Sequence, residues 1–511
     1  MIESQERENA DPLRLITRYD YDTFGNREGT ETEDAAGTIR REWSRHWGPD
    51  AIVPTYFERA DAFQSIRHSL TPSRITGEPV LIMKPLGVYT RRVYDSFGRL
   101  VREEQPDGGV LEVDRGRLLS PPIFAYEERT HTHPGSGAVL SPAERTFTDR
   151  LGRVVGRVRT LADGTPSYRS KAYDGLGRDV FTSVATTPAG QISSLDGWVT
   201  QFDQLGRPIA KRGPEDPSFG TQAANYRYDV ERDPTGRIAH TVIERTTPRG
   251  YRDTERKNLL GQLASKTDFS GGTLVFEHFA DGGLKRVTKH GEEWQWERDP
   301  YGWVHTFADP DAGVEHRNYN SWGQVTEVAT ADGNITTRTY DQLGRMWSEE
   351  QSASGRVSTW YWDGELVWRS EHNDRNESVV TYFEYDDLHR TTGTSTHVRG
   401  EVLEHHYLYD HTGRLHTHIY PEAKDGSLFA TTFDYSNGTL AGVYDSITGD
   451  PYWLLGRVQN GGGQDLTGAQ DAYGRTIRSA LGNGIETTLN YTAWGTVQNI
   501  EAHGPLGPVH D

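Results

Sequence analysis

The unit Tyr-Asp-x-x-Gly-Arg recurs along the whole of this 511-residue chain, and a recurring unit constrains a fold more than any single segment. Clear copies begin at Tyr21 (Tyr21, Asp22 and Gly25, with Asn26 in the arginine's place), Tyr94 (with Asp95, Gly98, Arg99) and Tyr173 (with Asp174, Gly177, Arg178). Two more begin at Tyr340 (with Asp341, Gly344, Arg345) and Tyr409 (with Asp410, Gly413, Arg414). Near copies keep most of the pattern: Thr148 followed by Asp149, Gly152 and Arg153, and Phe202 followed by Asp203, Gly206 and Arg207. Others start at Arg232, Arg298, Tyr319, Tyr385, Gln470 and Tyr491, with worn ones at Lys257 and Tyr435.

Each unit has the same grammar. A stretch of alternating character rich in Thr, Val or Tyr precedes the motif and a second stretch follows it, which reads as strand, turn, strand. The aspartate can accept from its own backbone two residues on, and the glycine supplies the positive φ of a tight hairpin or bulge. Asp107-Gly108, Asp163-Gly164, Asp281-Gly282 and Asp332-Gly333 read as type I′ turns closing the opposite ends of the units. Alternating turns give a long antiparallel meander, and about fifteen units of two strands predict on the order of 30 strands. A flat sheet of that size is implausible because strands twist. The expected fold is therefore all-β: an antiparallel hairpin repeat array coiled into a spiral sheet or partial β-shell. No long helix is expected. The array is placed at residues 17–499, between a polar N-terminal tail (1–16) and a C-terminal tail (500–511). Within it, 42–90 (with Trp43, Trp47, Tyr56, Phe57, Phe63) and 110–145 (with Pro121, Pro122, Pro134, Pro142) lack the motif and read as irregular strands and loops.

Composition fits a thin sheet. Only 34% of residues are hydrophobic, yet the chain carries 13 Trp, 25 Tyr and 16 Phe, too many for a disordered chain. Aromatic ladders are then the main source of burial. The net charge of −19 disfavours nucleic acid as a partner, and reads as solubility or as an acidic wall around a basic cargo. With no cysteine, disulfides, thiolate zinc sites and thiol catalysis are excluded. The N-terminal MIESQERENADPLRL lacks the apolar core of a signal peptide, and no apolar run approaches the roughly 20 residues of a membrane-spanning helix.

The motif, at this copy number and spacing, resembles the Rhs (rearrangement hot spot) or YD-repeat proteins from about Thr17 to about Asn499. The stretch with Gly482, Asn483, Gly484 and Thr487 is similar to a recurrent element of that family. The resemblance implies YD hairpins wound into a hollow shell, as in bacterial polymorphic toxins, the B–C component of insecticidal toxin complexes, and teneurin-like surface shells. It also implies a C-terminal toxic domain enclosed by the shell, with a plug and an aspartyl self-cleavage site before it. Neither is evident before Asp511, so the chain reads as a fragment of a longer shell, or one half of a split one. The implied partner is an effector cargo or the remaining shell segment, and the implied route is export from a bacterium.

Candidate chemistry is sparse. Asp-Pro bonds at Asp233-Pro234, Asp299-Pro300 and Asp309-Pro310 suit self-cleavage, but read better as drift at the motif's turn. The pairs His131/His133, His405/His406 and His416/His418 lack a third metal ligand at a motif spacing. Trp294/Trp296 and Trp360/Trp362 suit glycan stacking, or, more simply, ladders within the sheet. The motif arginines read as partners of acidic groups on the adjacent turn of the spiral. No nucleophile elbow, phosphate loop, zinc-protease or dinucleotide fingerprint occurs in a supporting context. No catalytic residue, metal or cofactor is expected. The leading expectation is a non-enzymatic encapsulation module of an Rhs-type toxin. The alternative is a cell-surface adhesion or carbohydrate-binding repeat protein, with glycans as partners.

Overall fold

Each strand of the chain pairs antiparallel with the strand that follows it, from Ile2–Gln5 against Leu15–Tyr21 to Val497–Gly504 against Gly507–His510. The computed structural model describes residues 2–5, 14–23, 25–46, 54–60, 65–73, 76–84, 87–118, 124–186, 197–214, 223–454, 469–492, 495–505 and 507–510. Among these residues there are 42 strands in one continuous meander and no helix. The first and last strands do not pair with each other, so the sheet stays open. The fold class is the expected one, an all-β antiparallel hairpin array coiled as a spiral.

Two expectations need adjusting. The strand number exceeds 30 because hairpins also form where no motif is legible, as at Arg356–Asp363 with Leu366–Asn373. The motif-poor stretches are strand too: Val110–Leu118, Phe124–His133 and Ala138–Thr148 are among the longest in the sheet. Trp47, Phe63, Pro121 and Pro122 lie outside the described residues. The pairing also runs into both stretches expected as tails.

The motif turn has one geometry. Asp95 N–H donates to Arg99 O at 2.9 Å and Gly98 N–H to Asp95 O at 3.0 Å, with Gly98 at φ +77°. That is a tight turn closed by a left-handed glycine. On the way out the register slips by one: Val93 faces Arg102 and Tyr94 faces Leu100, leaving Val101 unpaired. This bulge returns in copy after copy, with Trp347 unpaired after the Tyr340 motif. Extra residues of this kind sharpen the local twist, which curls a long sheet.

The Asp-Gly turns use the same geometry rather than type I′. Gln105 N–H donates to Gly109 O and Gly108 N–H to Gln105 O, and only Gly108 has positive φ. The physical reason is the Asp107 side chain, whose Oδ1 accepts from Gly109 N–H at 2.9 Å and so holds the aspartate in an ordinary conformation. True two-residue turns with both central φ positive occur instead at His290-Gly291, Arg399-Gly400 and Asn437-Gly438. Asp281-Gly282 moreover stands on the same edge as the motif turns, in place of a copy.

Because strands alternate direction, the turns fall on two rims: a motif rim and an opposite rim. The spiral closes on itself where the motif rim of the later repeats meets the opposite rim of the earlier ones. Arg40 donates from Nε to Gln342 O at 3.0 Å, and its guanidinium lies 4.0 Å from the Trp322 ring. Trp322 Nε1 donates to Asp34 Oδ2 at 3.3 Å. Farther along, Arg414 Nη1 donates to Val139 O at 3.2 Å, Ser436 Oγ to Ala162 O at 2.7 Å, and Ser167 Oγ to Ala472 O. These contacts join residues 274 to 305 apart, which sets the length of one revolution. The few well-buried apolar side chains include Leu161, Ala162 and Leu343 at this seam. A second small cluster joins Leu454, Ala469 and Ala480 with Tyr444 and Trp453.

Candidate functional site

The motif residues assemble into a ladder that ties each repeat to the next. The tyrosine hydroxyl donates to a backbone carbonyl one repeat earlier: Tyr94 to Pro79 O at 3.1 Å, Tyr173 to Val154 O at 2.8 Å, Tyr340 to Val325 O at 2.8 Å and Tyr409 to Thr391 O at 2.7 Å. The usual acceptor is the residue just after the preceding motif's last position. Burial pushes the Tyr340 and Tyr409 phenols above their ordinary range. Phe202 has no hydroxyl to donate, and keeps only its ring contact under Arg178 at 4.7 Å. Tyr21 is 45% exposed.

The motif arginine departs from expectation. Its carboxylate partner is the aspartate of its own turn: Asp95–Arg99 at 2.7 Å, Asp149–Arg153 at 2.7 Å, Asp174–Arg178 at 2.6 Å and Asp203–Arg207 at 2.7 Å. Asp341–Arg345 at 2.6 Å and Asp410–Arg414 at 3.0 Å follow suit. The turn fixes these two side chains four residues apart with little left to order, so no distant acid competes. The guanidinium then reaches over the next repeat's ring: Arg153 over Tyr173 (4.8 Å), Arg207 over Tyr228 (4.5 Å), Arg345 over Trp362 (5.4 Å), Arg414 over Tyr435 (4.5 Å). Cation–π contact thus links repeats that the ion pair does not.

The aspartate holds the turn. Asp95 Oδ1 accepts from Phe97 N–H and Arg99 N–H at 2.9 Å, and Oδ2 from Arg99 Nε at 2.8 Å. Asp95, Asp174 and Asp203 titrate below the ordinary carboxylate range, first because the backbone N–H of the following arginine binds the charged form. At Asp410 partial burial opposes ionisation. It is outweighed by the Thr412 hydroxyl, the Arg414 and Thr412 backbone N–H groups and the Arg414 side chain, which hold the carboxyl at about 2. Gly25, Gly152, Gly177, Gly206, Gly344 and Gly413 share the positive φ of Gly98.

The other sequence candidates are also absorbed by structure. Asp233 and Asp299 accept from the N–H groups of their own turns, and Asp309 takes the Trp294 indole N–H at 3.0 Å besides. Trp296 stacks on Phe307 at 5.0 Å, and Trp362 Nε1 donates to Met346 O at 2.9 Å. The histidines meet across expected pairs: His405 Nδ1 lies 3.0 Å from His418 Nε2, while His416 turns to Thr417. Tyr407 and Tyr420 flank His418 at 4.6 and 4.0 Å. Among the described residues no group of three or more metal-binding side chains comes together, and no helix is long and apolar enough to cross a membrane.

Two surfaces escaped sequence reading. A stripe of rings crosses four hairpin strands and the next: Trp347–Tyr361 at 5.4 Å, Tyr361–Trp368 at 5.9 Å, Trp368–Tyr382 at 6.3 Å and Tyr382–His397 at 5.4 Å. Trp347 and Trp368 are both bulge residues, and each is more than two-fifths exposed. Their signal was the position two residues after the motif arginine (or its counterpart), where the register slips. The second surface is a groove of about 930 Å³ lined by Arg99, Arg115, Arg129, Arg157, Tyr126 and Glu127 among others. The stripe suits apolar or planar groups; in the groove Arg115 and Arg129 pair with Glu127, and Arg157 with Glu144.

Comparison with known proteins places these features. Residues 319–364 match the family model described as RHS Repeat. No curated protein matches the sequence. Among solved structures, the chain superposes on TcdB2-TccC3 with a TM-score of 0.64 at 12% identity, over 96% of this chain and 30% of that one. TcdB2-TccC3-TEV gives 0.64 at 11% identity, over 98% and 35%. TcdB2-TccC3 without its hypervariable C-terminal region gives 0.56 at 11%, over 96% and 34%. The chain thus spans about a third of the length of these proteins and shares their fold. Residues 319–364 thus carry a recognisable RHS repeat, and the coiled hairpin array around it has the fold of the TcdB2-TccC3 structures.

Proposed function

We propose that this chain is a wall segment of a bacterial toxin shell, with a structural and not a catalytic task, which encloses an effector polypeptide until delivery. The observation that carries the proposal is the seam at Arg40–Trp322 and Arg414–Val139, because it turns a long ribbon into a continuous curved wall. The likeness to TcdB2-TccC3, one form of which is named for lacking a hypervariable C-terminal region, supports the same reading. A non-catalytic role fits the motif carboxylates, which are engaged as acceptors within their own turns. Export from the producing cell follows from a toxin's task.

The test appends a protease-sensitive, marginally stable passenger domain to Asp511 and follows limited proteolysis. The proposal expects the linked passenger to outlast the free one while the array stays intact. Equal digestion of linked and free passenger would overturn it.

The exposed stripe Trp347–Tyr361–Trp368–Tyr382 favours a second reading, glycan binding at a cell surface. Binding on a glycan array that disappears in Trp368→Ala with the fold unchanged would support it. A blank array would remove it.

A further inference from the structure

We propose that the free motif rim of the first coil is a docking edge for the opposite rim of a second copy of this chain, so that molecules stack head to tail as the two coils already stack within one. The inference rests on the coil-on-coil packing and not on encapsulation of a cargo.

Equivalent turns meet different fates in the two coils. In the second coil the residue before the motif glycine is covered by the first: Leu343 is 5% exposed and Thr412 2%. In the first coil the same position is bare, with Phe97 82% exposed and Leu151, Leu176 and Leu205 each 77%. The arginines divide less sharply: the Arg99 and Arg207 side chains are 54% and 46% exposed and those of Arg345 and Arg414 14% and 22%, but Arg153 and Arg178 in the first coil are as covered as Arg390 and Arg475 in the second. A row of large apolar side chains between arginines, with no covering element among the described residues, is an unusual surface for a soluble chain.

The chain also carries the complementary edge. Beyond the seam the opposite rim is uncovered, and there Phe269, Leu428 and Ile447 are exposed and Tyr251 packs on Phe269 at 4.7 Å. Its turns carry Asp332, Asp374, Asp425 and Asp445 as Asp34 and Asp107 do in the covered part. Turns on either rim recur every two strands, roughly 10 Å apart, so the rims share a pitch. Acidic turns facing arginine-bearing ones repeat the contact made inside the molecule. An interface between two different patches is heterologous, and it leaves one free rim of each kind after every addition.

Size-exclusion chromatography with light scattering on the full chain tests this. Wild type is expected to gain mass with concentration. The motif-rim variant L151D/L176D/L205D and the opposite-rim variant F269D/I447D are each expected to stay monomeric, with circular dichroism and melting unchanged. Each retains the edge the other lacks, so an equimolar mixture is expected to form one-to-one dimers and nothing larger. A wild type that is monomeric at every concentration overturns the proposal. So does a dimer that persists in both variants, or a mixture that fails to pair. The readout is stoichiometry, whereas the cargo reading is judged by protease protection, so one can fail without the other.

Discussion

At the residue scale, turn chemistry was the most legible part of the molecule because it is local. Asp and Gly of the motif act within five residues, and their roles follow from their side chains alone. Gly152 has φ +77° and open space where a Cβ would stand, so strain is the whole cost of replacing it. Gly152→Ala is expected to destabilise by about 1–2 kcal/mol, and Gly152→Asn by less, since asparagine visits this region more readily. His389, at φ +64° in the glycine's place of its own copy, shows that the array accepts such a residue. Chemical denaturation of the two variants checks the order. Asp410 gives a pH prediction. Its carboxyl titrates at about 2 in the folded chain against 3.8 ordinarily, so its contribution is fully present above the unfolded value. It is lost as pH falls from about 4 towards 2, on the order of 2 kcal/mol. Asp410→Ala should remove that acid step from the stability profile, and lower stability at neutral pH by about 2–3 kcal/mol. An unchanged acid step would refute the assignment.

At the element scale the meander was legible, but its turn types and side-chain faces were only partly so. Asp-Gly pairs suggested type I′ turns. The structure shows the aspartate capping the turn from its side chain, a choice that pair statistics do not encode. The bulge after each motif was also hidden, and with it the exposure of Trp347 and Trp368, because a one-residue slip reverses a face that alternation alone had assigned. The histidines went the same way. Strand alternation alone would put His416 and His418 on one face, yet His416 is the bulge residue and His418 meets His405 on the neighbouring strand. Burial, and then the neighbouring His405, lower the pKa of His418 below 6.5. A depressed histidine favours the folded hairpin above the unfolded pKa and opposes it as pH falls. NMR titration should therefore find His418 protonating below 6.5. Amide exchange in Glu401–Tyr409 and Leu415–Ile419 should accelerate on acidification through that range, beyond the change in intrinsic exchange rate. His418→Phe should flatten this dependence, and exchange as pH-sensitive as wild type would refute the link.

At the scale of the whole molecule, the sequence implied a coil but did not say where its turns touch. The reason is visible in two copies with the same local text. Asp-Gln-Leu-Gly-Arg occurs at 203–207 and at 341–345, yet Leu205 is 77% exposed and Leu343 is 5% exposed. No property of the pentapeptide separates them; the difference is that a revolution of sheet lies against one and not the other. Burial at the seam is thus set by the pitch of the spiral, which sums small twists over many hairpins. The pair supplies an internally controlled experiment. Leu343→Asp places a carboxylate against the turn that carries Arg40 and Asp34, and removes an apolar side chain from the seam. It is expected to cost about 3–5 kcal/mol locally. Leu205→Asp, with identical neighbours in sequence, is expected to change the stability of the single chain by no more than about 0.5 kcal/mol. Hydrogen exchange should localise the first effect: protection should fall together at 34–40 and 320–345, residues that meet only through the seam, while Asp95–Arg99 stays as in wild type. If Leu343→Asp left both segments protected, the two coils would not be packed as described. If Leu205→Asp were equally damaging, the first coil's motif rim would already be covered.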